Sequence, residues 1–335
     1  MTLNVGLIGT GAIGTEHFHR INDKLSDAQV VAVCDVNKDQ AMAVAKSSKT
    51  DVVVFDSGQE LIKSPTVDAV IVASWGPTHE EYVLACIEAG KPVFCEKPLA
   101  VTAAGCRKIV DAELAAGRKF VQVGFMRRYD ESYRQLKQTL NNNVIGAPLI
   151  LNCAHRAPEA PGFKGDMAIT DSLVHEMDVL RWLLEDDYVS AQVIQPRRSS
   201  LSEEGLQDPH IIQLRTKQGI HISVESFVFC QYGYDIQCQV VGEKGIASLA
   251  EPSNVLVRTE AKLYREILMD WKLRFSAAFD AEFQDWIDST LKGEVNGPTA
   301  WDGYVVSITA DACVKAKYSG QIEPIEIPAR PDMYK

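Results

Sequence analysis

Near the start of the chain, Gly9-Thr10-Gly11-Ala12-Ile13-Gly14 is a complete GxGxxG motif. It follows an apolar run at residues 5–8 and opens a helical pattern, the context in which this motif is informative. The first glycine permits a tight turn, the second lets the backbone approach a pyrophosphate, and the third lets helix and strand pack closely. The N-terminus of the helix offers N–H groups and partial positive charge to phosphates. The motif therefore predicts a dinucleotide site.

An acidic residue completes this signature. Asp35 lies about 20 residues beyond the last glycine, where such motifs place the carboxylate that binds ribose hydroxyls. A carboxylate there repels a 2′-phosphate, and the next residues, Val36 and Asn37, offer no arginine to bind one. The sequence predicts NAD rather than NADP as cofactor. The alternative is a glycine turn that binds nothing.

Short apolar runs in the first part of the chain predict a parallel sheet. They are rich in β-branched residues and nearly uniformly apolar, as strands buried on both faces are. They occupy residues 5–8, 30–33, 52–55, 69–73, 92–95 and 120–123. Helical patterns between them, such as residues 80–89 and 103–115, indicate right-handed βαβ units. We expect residues 1–125 to form an α/β, doubly wound Rossmann domain that binds NAD.

The pattern changes near residue 147. A helical pattern at residues 173–184 precedes runs that alternate in polarity and are separated by glycine-containing turns, which indicates consecutive antiparallel strands. These runs occupy residues 189–194, 211–215, 221–229, 236–241 and 246–249. Helical patterns at residues 277–291 and 300–317 follow. We expect residues 126–335 to form an α+β domain with an open, mainly antiparallel sheet, used for substrate binding and oligomerisation.

Composition narrows the class of protein. A length of 335 residues suggests two domains. The net charge of −11 argues against a nucleic-acid or anionic-membrane partner. No apolar run approaches the ~20 residues that span a bilayer, and the N-terminus lacks the pattern of a signal peptide. The eight cysteines are scattered without a CxxC motif, as expected for reduced thiols in a cytoplasmic protein.

Two groups of polar residues are candidates for catalysis. Lys97 follows the fifth apolar run, and open α/β sheets bind ligands beyond the carboxyl ends of their strands. Asp171 and His175 are four residues apart, so on a helix they share a face. The carboxylate can then orient an imidazole that takes a proton from a substrate hydroxyl. The alternatives are a solvated loop lysine and a core histidine satisfied by its neighbouring aspartate.

No metal site is expected. His175-Glu176 begins like HExxH, but position 179 is valine. Asp171, His175 and Asp178 could in principle ligate a cation, yet oxidation of an alcohol by a nicotinamide with a histidine base requires none.

With these residues in view, the sequence resembles the Gfo/Idh/MocA oxidoreductase family along essentially its whole length. The general motifs are the glycine loop with Asp35, Glu96-Lys97-Pro98, and Asp171 with His175. The resemblance extends to further segments: Ser74-Trp75-Gly76-Pro77-Thr78-His79, Val123-Gly124-Phe125-Met126-Arg127-Arg128-Tyr129-Asp130, Cys153-Ala154-His155-Arg156, Tyr232-Gly233-Tyr234-Asp235-Ile236-Gln237-Cys238, Met269-Asp270-Trp271 and Gly297-Pro298-Thr299-Ala300-Trp301-Asp302-Gly303-Tyr304. Of these, the stretches at residues 125–130 and 232–238 are similar more narrowly to the inositol-oxidising members of the family.

The resemblance implies NAD-dependent oxidation of a ring hydroxyl of myo-inositol to an inosose, in a homotetramer. It makes His175 the general base, Asp171 its partner and Lys97 the cation that holds the reacting oxygen. The implied polyol-binding residues are Lys97, Arg127, His155, Asp171, His175, Tyr234 and Trp271. The implied cofactor-binding residues are Gly9, Gly11, Ala12, Ile13, Gly14, Asp35, Val36, Ser74, Trp75, His79, Glu96, Lys97 and Arg127.

The chain also departs from the family pattern. Ala157 stands where the inositol enzymes carry an asparagine, and the loop at residues 158–166 does not match them well. Loss of an amide that reads a hydroxyl would shift isomer preference by about 0.5–1.5 kcal/mol. The open alternatives are scyllo-inositol, D-chiro-inositol or a cyclic sugar as substrate, a non-catalytic NAD-binding regulator, and an NADP-dependent sugar or biliverdin-type reductase.

Overall fold

The computed structural model describes residues 2–250 and 255–335, which divide into two compact units. Unit 1 comprises the residues up to 125 together with 279–307 and 329–335, and unit 2 comprises 126–278 and 308–328. The sequence predicts a single boundary after residue 125. The structure adds to unit 1 two later segments that sequence analysis placed in the second domain.

Unit 1 is built on a six-stranded parallel sheet in the order β3-β2-β1-β4-β5-β6. Its strands are β1 (Leu3–Ile8), β2 (Ala28–Cys34), β3 (Val53–Val54), β4 (Ala69–Val72), β5 (Val93–Cys95) and β6 (Val121–Val123). Its helices before residue 125 are α1 (Ala12–Asp23), α2 (Lys38–Lys46), α3 (Gly58–Lys63), α4 (His79–Glu88) and α5 (Ala103–Ala116). This strand order, with its reversal between β1 and β4, is that of the dinucleotide-binding Rossmann fold, so the predicted fold class is confirmed.

Unit 2 contains a seven-stranded sheet in the order β12-β11-β7-β10-β9-β8-β15. The strands are β7 (Pro148–Arg156), β8 (Tyr188–Ile194), β9 (His210–Thr216), β10 (His221–Phe227), β11 (Asp235–Gly242), β12 (Ile246–Ser248) and β15 (Glu323–Pro324). A separate hairpin is formed by β13 (Val257–Thr259) and β14 (Lys262–Tyr264), and the helices are α6 (Glu131–Asn141) and α7 (Val174–Leu184).

The sheet of unit 2 is mainly antiparallel, as predicted, with one parallel pair. That pair joins β7 to β10, so β7 lies in the middle of the sheet between β10 and β11. Sequence analysis did not identify β7 as a strand. Parallel neighbours require a long crossover, so no turn next to β7 in the sequence marks its pairing.

Two long helices follow the hairpin: α8 (Trp271–Leu291) and α9 (Ala300–Ser319). Phe283 and Trp286 of α8 are buried in the core of unit 1, where their rings lie 4.2 Å and 5.8 Å from that of Phe94 on β5. This aromatic packing explains why residues 279–307 belong to the first unit.

All eight cysteines are buried free thiols. Within the part of the chain that the structure describes, no helix has the length and apolar character needed to span a membrane.

Candidate active site

The glycine loop connects β1 to α1, and two of its three glycines are required sterically within the chain. Gly9 has a φ of +95°, and a Cβ there would collide with the backbone of Ala73 at the end of β4. A Cβ on Gly14 would collide with the carbonyl oxygen of Gly9. A Cβ on Gly11 would meet nothing within 4 Å, which leaves room at the helix N-terminus for a ligand's phosphates.

Asp35 fixes this loop at the end of β2. Its Oδ2 accepts the N–H of Thr10 at 2.6 Å and the Thr10 hydroxyl at 3.1 Å, and its Oδ1 accepts the N–H of Asn37 at 2.8 Å. The carboxylate is only partly buried, so it can also accept hydrogen bonds from ribose. The side chain of Val36 beside it is fully exposed, a position suited to contact with an adenine ring. These residues fit NAD.

The remaining predicted cofactor residues of unit 1 lie beyond the carboxyl ends of β4 and β5. His79 is buried and links these two loops, because its Nδ1 lies 2.7 Å from the carbonyl oxygen of Pro98 and its Nε2 lies 2.9 Å from that of Ser74. Trp75 is exposed. Glu96 and Lys97 directly follow β5, and the Lys97–Pro98 peptide bond is cis. These loops adjoin the glycine loop because β1, β4 and β5 are neighbours in the sheet.

A buried polar cluster in unit 2 holds three of the predicted substrate-binding residues. Glu176, on the first turn of α7, pairs with the guanidinium of Arg127 through one oxygen and lies 2.8 Å from Nδ1 of His155 through the other. Arg127 Nη2 lies 3.5 Å from the hydroxyl oxygen of Tyr234. The guanidinium also lies over the ring of Phe275. The cluster therefore joins β7, α7, α8, the 3₁₀ turn Met126–Tyr129 and the residue before β11 around one ion pair.

Glu176 and Arg127 favour each other's charged form more strongly than burial disfavours it. Burial alone would raise the pKa of Glu176, but Arg127 and His155 hold that pKa below its ordinary value. Burial would likewise lower the pKa of Arg127, and Glu176 raises it. His155 Nδ1 lies 2.8 Å from Glu176 and 3.3 Å from Arg127 Nη2, and because a carboxylate only accepts, the shorter contact is a hydrogen bond that the ring donates to Glu176. This bond fixes the orientation of the ring, and Nε2 is the nitrogen that a polyol hydroxyl can contact.

The predicted acid–base pair, Asp171 and His175, is close to Glu176 in the sequence. The two residues do not lie on one regular helix. Asp171 lies in a π-helical turn, Ala168–Ser172, and His175 lies in the first turn of α7. π-Turns of this kind are frequent at functional sites. His175 is buried and Asp171 is partly buried. Trp271, the last of the predicted substrate residues, is partly buried at the first position of α8.

One of the three residues in the cation-ligand alternative, Asp178, is held in an ion pair. The carboxylate of Asp178 pairs with Arg128, whose Nε donates to Oδ2 at 2.8 Å. Among residues 2–250 and 255–335, no group of three histidine, cysteine or acidic side chains is arranged to hold a metal ion.

Sequence analysis missed Glu176 as a member of the site. The available signal was that Glu176 is a charged residue within the apolar pattern of α7. Residues 174–180 of this helix are all buried. A buried carboxylate needs a cation or several donors, so a partner was to be expected. Nothing in the sequence identifies Arg127 and His155 as those partners, because they lie 49 and 21 residues away.

Fold and site together define an NAD-binding oxidoreductase. The family model for the oxidoreductase NAD-binding Rossmann fold matches residues 3–125, and the model for the oxidoreductase C-terminal alpha/beta domain matches residues 137–327. The chain belongs to the Gfo/Idh/MocA oxidoreductase family, which confirms the resemblance.

Its relatives include proteins similar over the whole chain. It is 57% identical to an inositol 2-dehydrogenase of Serratia proteamaculans, across 100% of this chain and 99% of the relative. It is 58% identical to an inositol 2-dehydrogenase of Pseudomonas fluorescens, across 100% of both. Among solved structures, it is similar to myo-inositol dehydrogenase from Lactobacillus casei in complex with NAD(H) and myo-inositol, with a TM-score of 0.97, 40% identity and full coverage of both chains.

Proposed function

We propose that this chain is an NAD-dependent inositol 2-dehydrogenase, which oxidises a ring hydroxyl of myo-inositol to the ketone. The observation that carries this proposal is full-length similarity, at 57–58% identity, to proteins of that name. The solved relative that holds NAD(H) and myo-inositol supports the same substrate class. The buried ion pair with its adjoining histidine and tyrosine supplies the donors and acceptors that a hydroxyl-rich ring requires.

The proposed mechanism assigns one task to each catalytic residue. NAD⁺, when bound, supplies the hydride acceptor. His175 takes the proton of the reacting hydroxyl, and Asp171 orients its imidazole and stabilises the imidazolium. The ammonium group of Lys97 stabilises negative charge as it develops on the same oxygen, an electrostatic contribution that is usually large. Arg127, His155, Tyr234 and Trp271 hold the remaining hydroxyls and the ring.

Substrate choice is tested by measuring NADH formation across inositol isomers and pyranoses. We expect myo-inositol to give the highest kcat/KM. Since Ala157 lacks an amide, we also expect one or more other isomers to be oxidised within about tenfold of it, the ratio that corresponds to roughly one hydrogen bond. Turnover of glucose but of no inositol would contradict the proposed substrate. NAD binding without turnover of any polyol would favour the regulator.

Cofactor choice is tested at Asp35. In Asp35→Ser, the carboxylate that repels a 2′-phosphate is absent, so the preference for NAD⁺ over NADP⁺ in kcat/KM should fall by roughly tenfold or more, equivalent to about 1.4 kcal/mol. Asp39→Ser, at an exposed position on α2, is the matched control and should keep the native ratio. A native chain that uses both cofactors equally would refute the role of Asp35.

We further propose that the chain functions in the cytoplasm as a homotetramer. The buried free thiols suit a reducing compartment.

The tetramer has a candidate interface on the sheet of unit 2. One face of this sheet carries an uncharged polar row across five neighbouring strands: Gln192, Gln213, Ser223, Asn152 and Gln239. Depletion of charge is typical of the centre of an interface. Light scattering after gel filtration should give about four times the chain mass of 37.0 kDa, and a mass of one chain would contradict the tetramer.

A further inference from the structure

Helix α1 carries a fully buried histidine, His17, that sequence analysis did not assign to any role. Its Nε2 lies 2.7 Å from Oε1 of Glu96, and its Nδ1 lies 2.8 Å from Nη1 of Arg20. A guanidinium only donates, so Nδ1 must accept from Arg20. The ring therefore carries its proton on Nε2 and donates it to Glu96.

The partners of His17 are themselves held in place. Arg20 Nε donates to Asp280 Oδ1 at 2.6 Å. The imidazole is enclosed by Phe94, Phe279 and Phe283, with the last ring centred 4.3 Å away. Burial lowers the pKa of His17, which keeps the ring neutral. The hydrogen bonds thus run in one direction, from Arg20 through His17 to Glu96.

Glu96 is fixed at both of its oxygens. While Oε1 accepts from His17, Oε2 accepts the backbone N–H of Lys97 at 3.2 Å. A Cβ at Gly124 would lie only 3.2 Å from the carboxylate, so the glycine provides the space that Glu96 occupies. Burial raises the pKa of Glu96, but His17 and Lys97 outweigh it and hold that pKa below its ordinary value. The ionised carboxylate connects helix α1 to the loop of Lys97.

We infer that His17 is a positioning residue for the reaction: it orients the Glu96 carboxylate, and through it the backbone of Lys97. The inference rests on the proposed function of Lys97. Because α1 begins at the glycine loop, the same hydrogen bonds connect the cofactor-binding helix to the catalytic lysine. His17 touches neither substrate nor cofactor in this account, and its effect is exerted through Glu96.

Two amide variants separate the two hydrogen bonds of the ring. The amide nitrogen of His17→Gln lies near the position of imidazole Nε2 and can still donate to Glu96. The shorter His17→Asn can accept from Arg20 but does not reach Glu96. We expect His17→Asn to lower kcat on the order of tenfold or more, as misplacement of a reacting group does. We expect the kcat of His17→Gln to stay within about threefold of the native value, a much smaller loss than such misplacement causes.

The decisive readouts are those that a merely structural role would not change. In His17→Asn, the primary deuterium isotope effect on kcat should rise as the chemical step becomes limiting, while the KM for the polyol changes less than kcat. The amine-labelling rate of Lys97, followed by mass spectrometry, should change in His17→Asn and not in His17→Gln. His19→Gln, on the exposed side of the same helix, is the control and should match the native chain throughout.

Several results would overturn the inference. Equal activity and equal Lys97 labelling in the two amide variants would show that donation to Glu96 does not matter. Loss of kcat only in proportion to the folded fraction would assign His17 a structural role. If the native chain oxidised no polyol, the proposed function would fail, while a change in Lys97 labelling confined to His17→Asn would still establish the positioning effect.

Discussion

His175→Ala is expected to oxidise myo-inositol roughly 10²–10⁴-fold more slowly than the native chain, the usual contribution of a positioned general base. Without the imidazole, the hydroxyl proton has no acceptor as the hydride leaves the ring. His175 is not among the residues implied to bind the cofactor, so the affinity for NAD⁺ should be unchanged.

The measurement is kcat from NADH formation, together with the NAD⁺ dissociation constant from fluorescence titration. His221→Ala is the matched control, since this histidine is exposed on β10 of the same unit. It should keep the native kcat. Near-native turnover by His175→Ala would refute the assignment of the general base.

Glu176→Gln is expected to have the largest effect on stability. Both members of its ion pair are buried, with side-chain exposures of 1% for Arg127 and 4% for Glu176. Removal of one charge leaves the other buried without compensation, which typically costs about 3–5 kcal/mol. The neutral amide also no longer fixes the proton of His155 on Nδ1, so the KM for the polyol should rise.

Urea unfolding of Glu176→Gln and Glu225→Gln compares the loss of unfolding free energy at a buried ion pair with the loss at an exposed one. Glu225 pairs with Arg156 at 2.6 Å, but its side chain is 40% exposed. Its loss should cost about 1 kcal/mol or less. Equal losses of unfolding free energy in the two variants would contradict the account of the buried pair.

Acid should weaken the same ion pair. The pKa of Glu176 is lower in the folded chain than its ordinary value of 4.5. A carboxyl group with a lowered pKa contributes stability that is present above the unfolded value and lost as pH falls through the folded value. The difference in unfolding free energy between the native chain and Glu176→Gln should therefore shrink below about pH 4.5, the unfolded value. A difference that is constant from pH 7 to pH 3 would contradict this.

The sequence predicted the parts of the fold that are encoded locally. The parallel strands are identifiable because burial on both faces makes each run apolar, as in β4, whose residues are all buried. The position of β7 and the return of the chain to unit 1 at residue 279, within α8, could not be predicted in this way. Each depends on pairing or packing between distant segments, such as Phe283 with Phe94.

The same distinction applies to the site. The glycine loop and Asp35 are readable because the motif spacing reflects one βαβ unit. The bonds that join His17 to Glu96, and Glu176 to Arg127 and His155, span 79, 49 and 21 residues. A buried charge in a helix shows that a partner must exist, but only the fold determines which residue provides it.

Direct transfer of a hydride from the ring of an inositol to NAD⁺ is the chemical step on which the proposed function depends. Myo-inositol that carries deuterium on the oxidised carbon follows this step. Deuterium should appear on the nicotinamide ring of the NADH formed, in equal amount to the ketone. Unlabelled NADH with deuterium released to water, or no NADH at all, would contradict it.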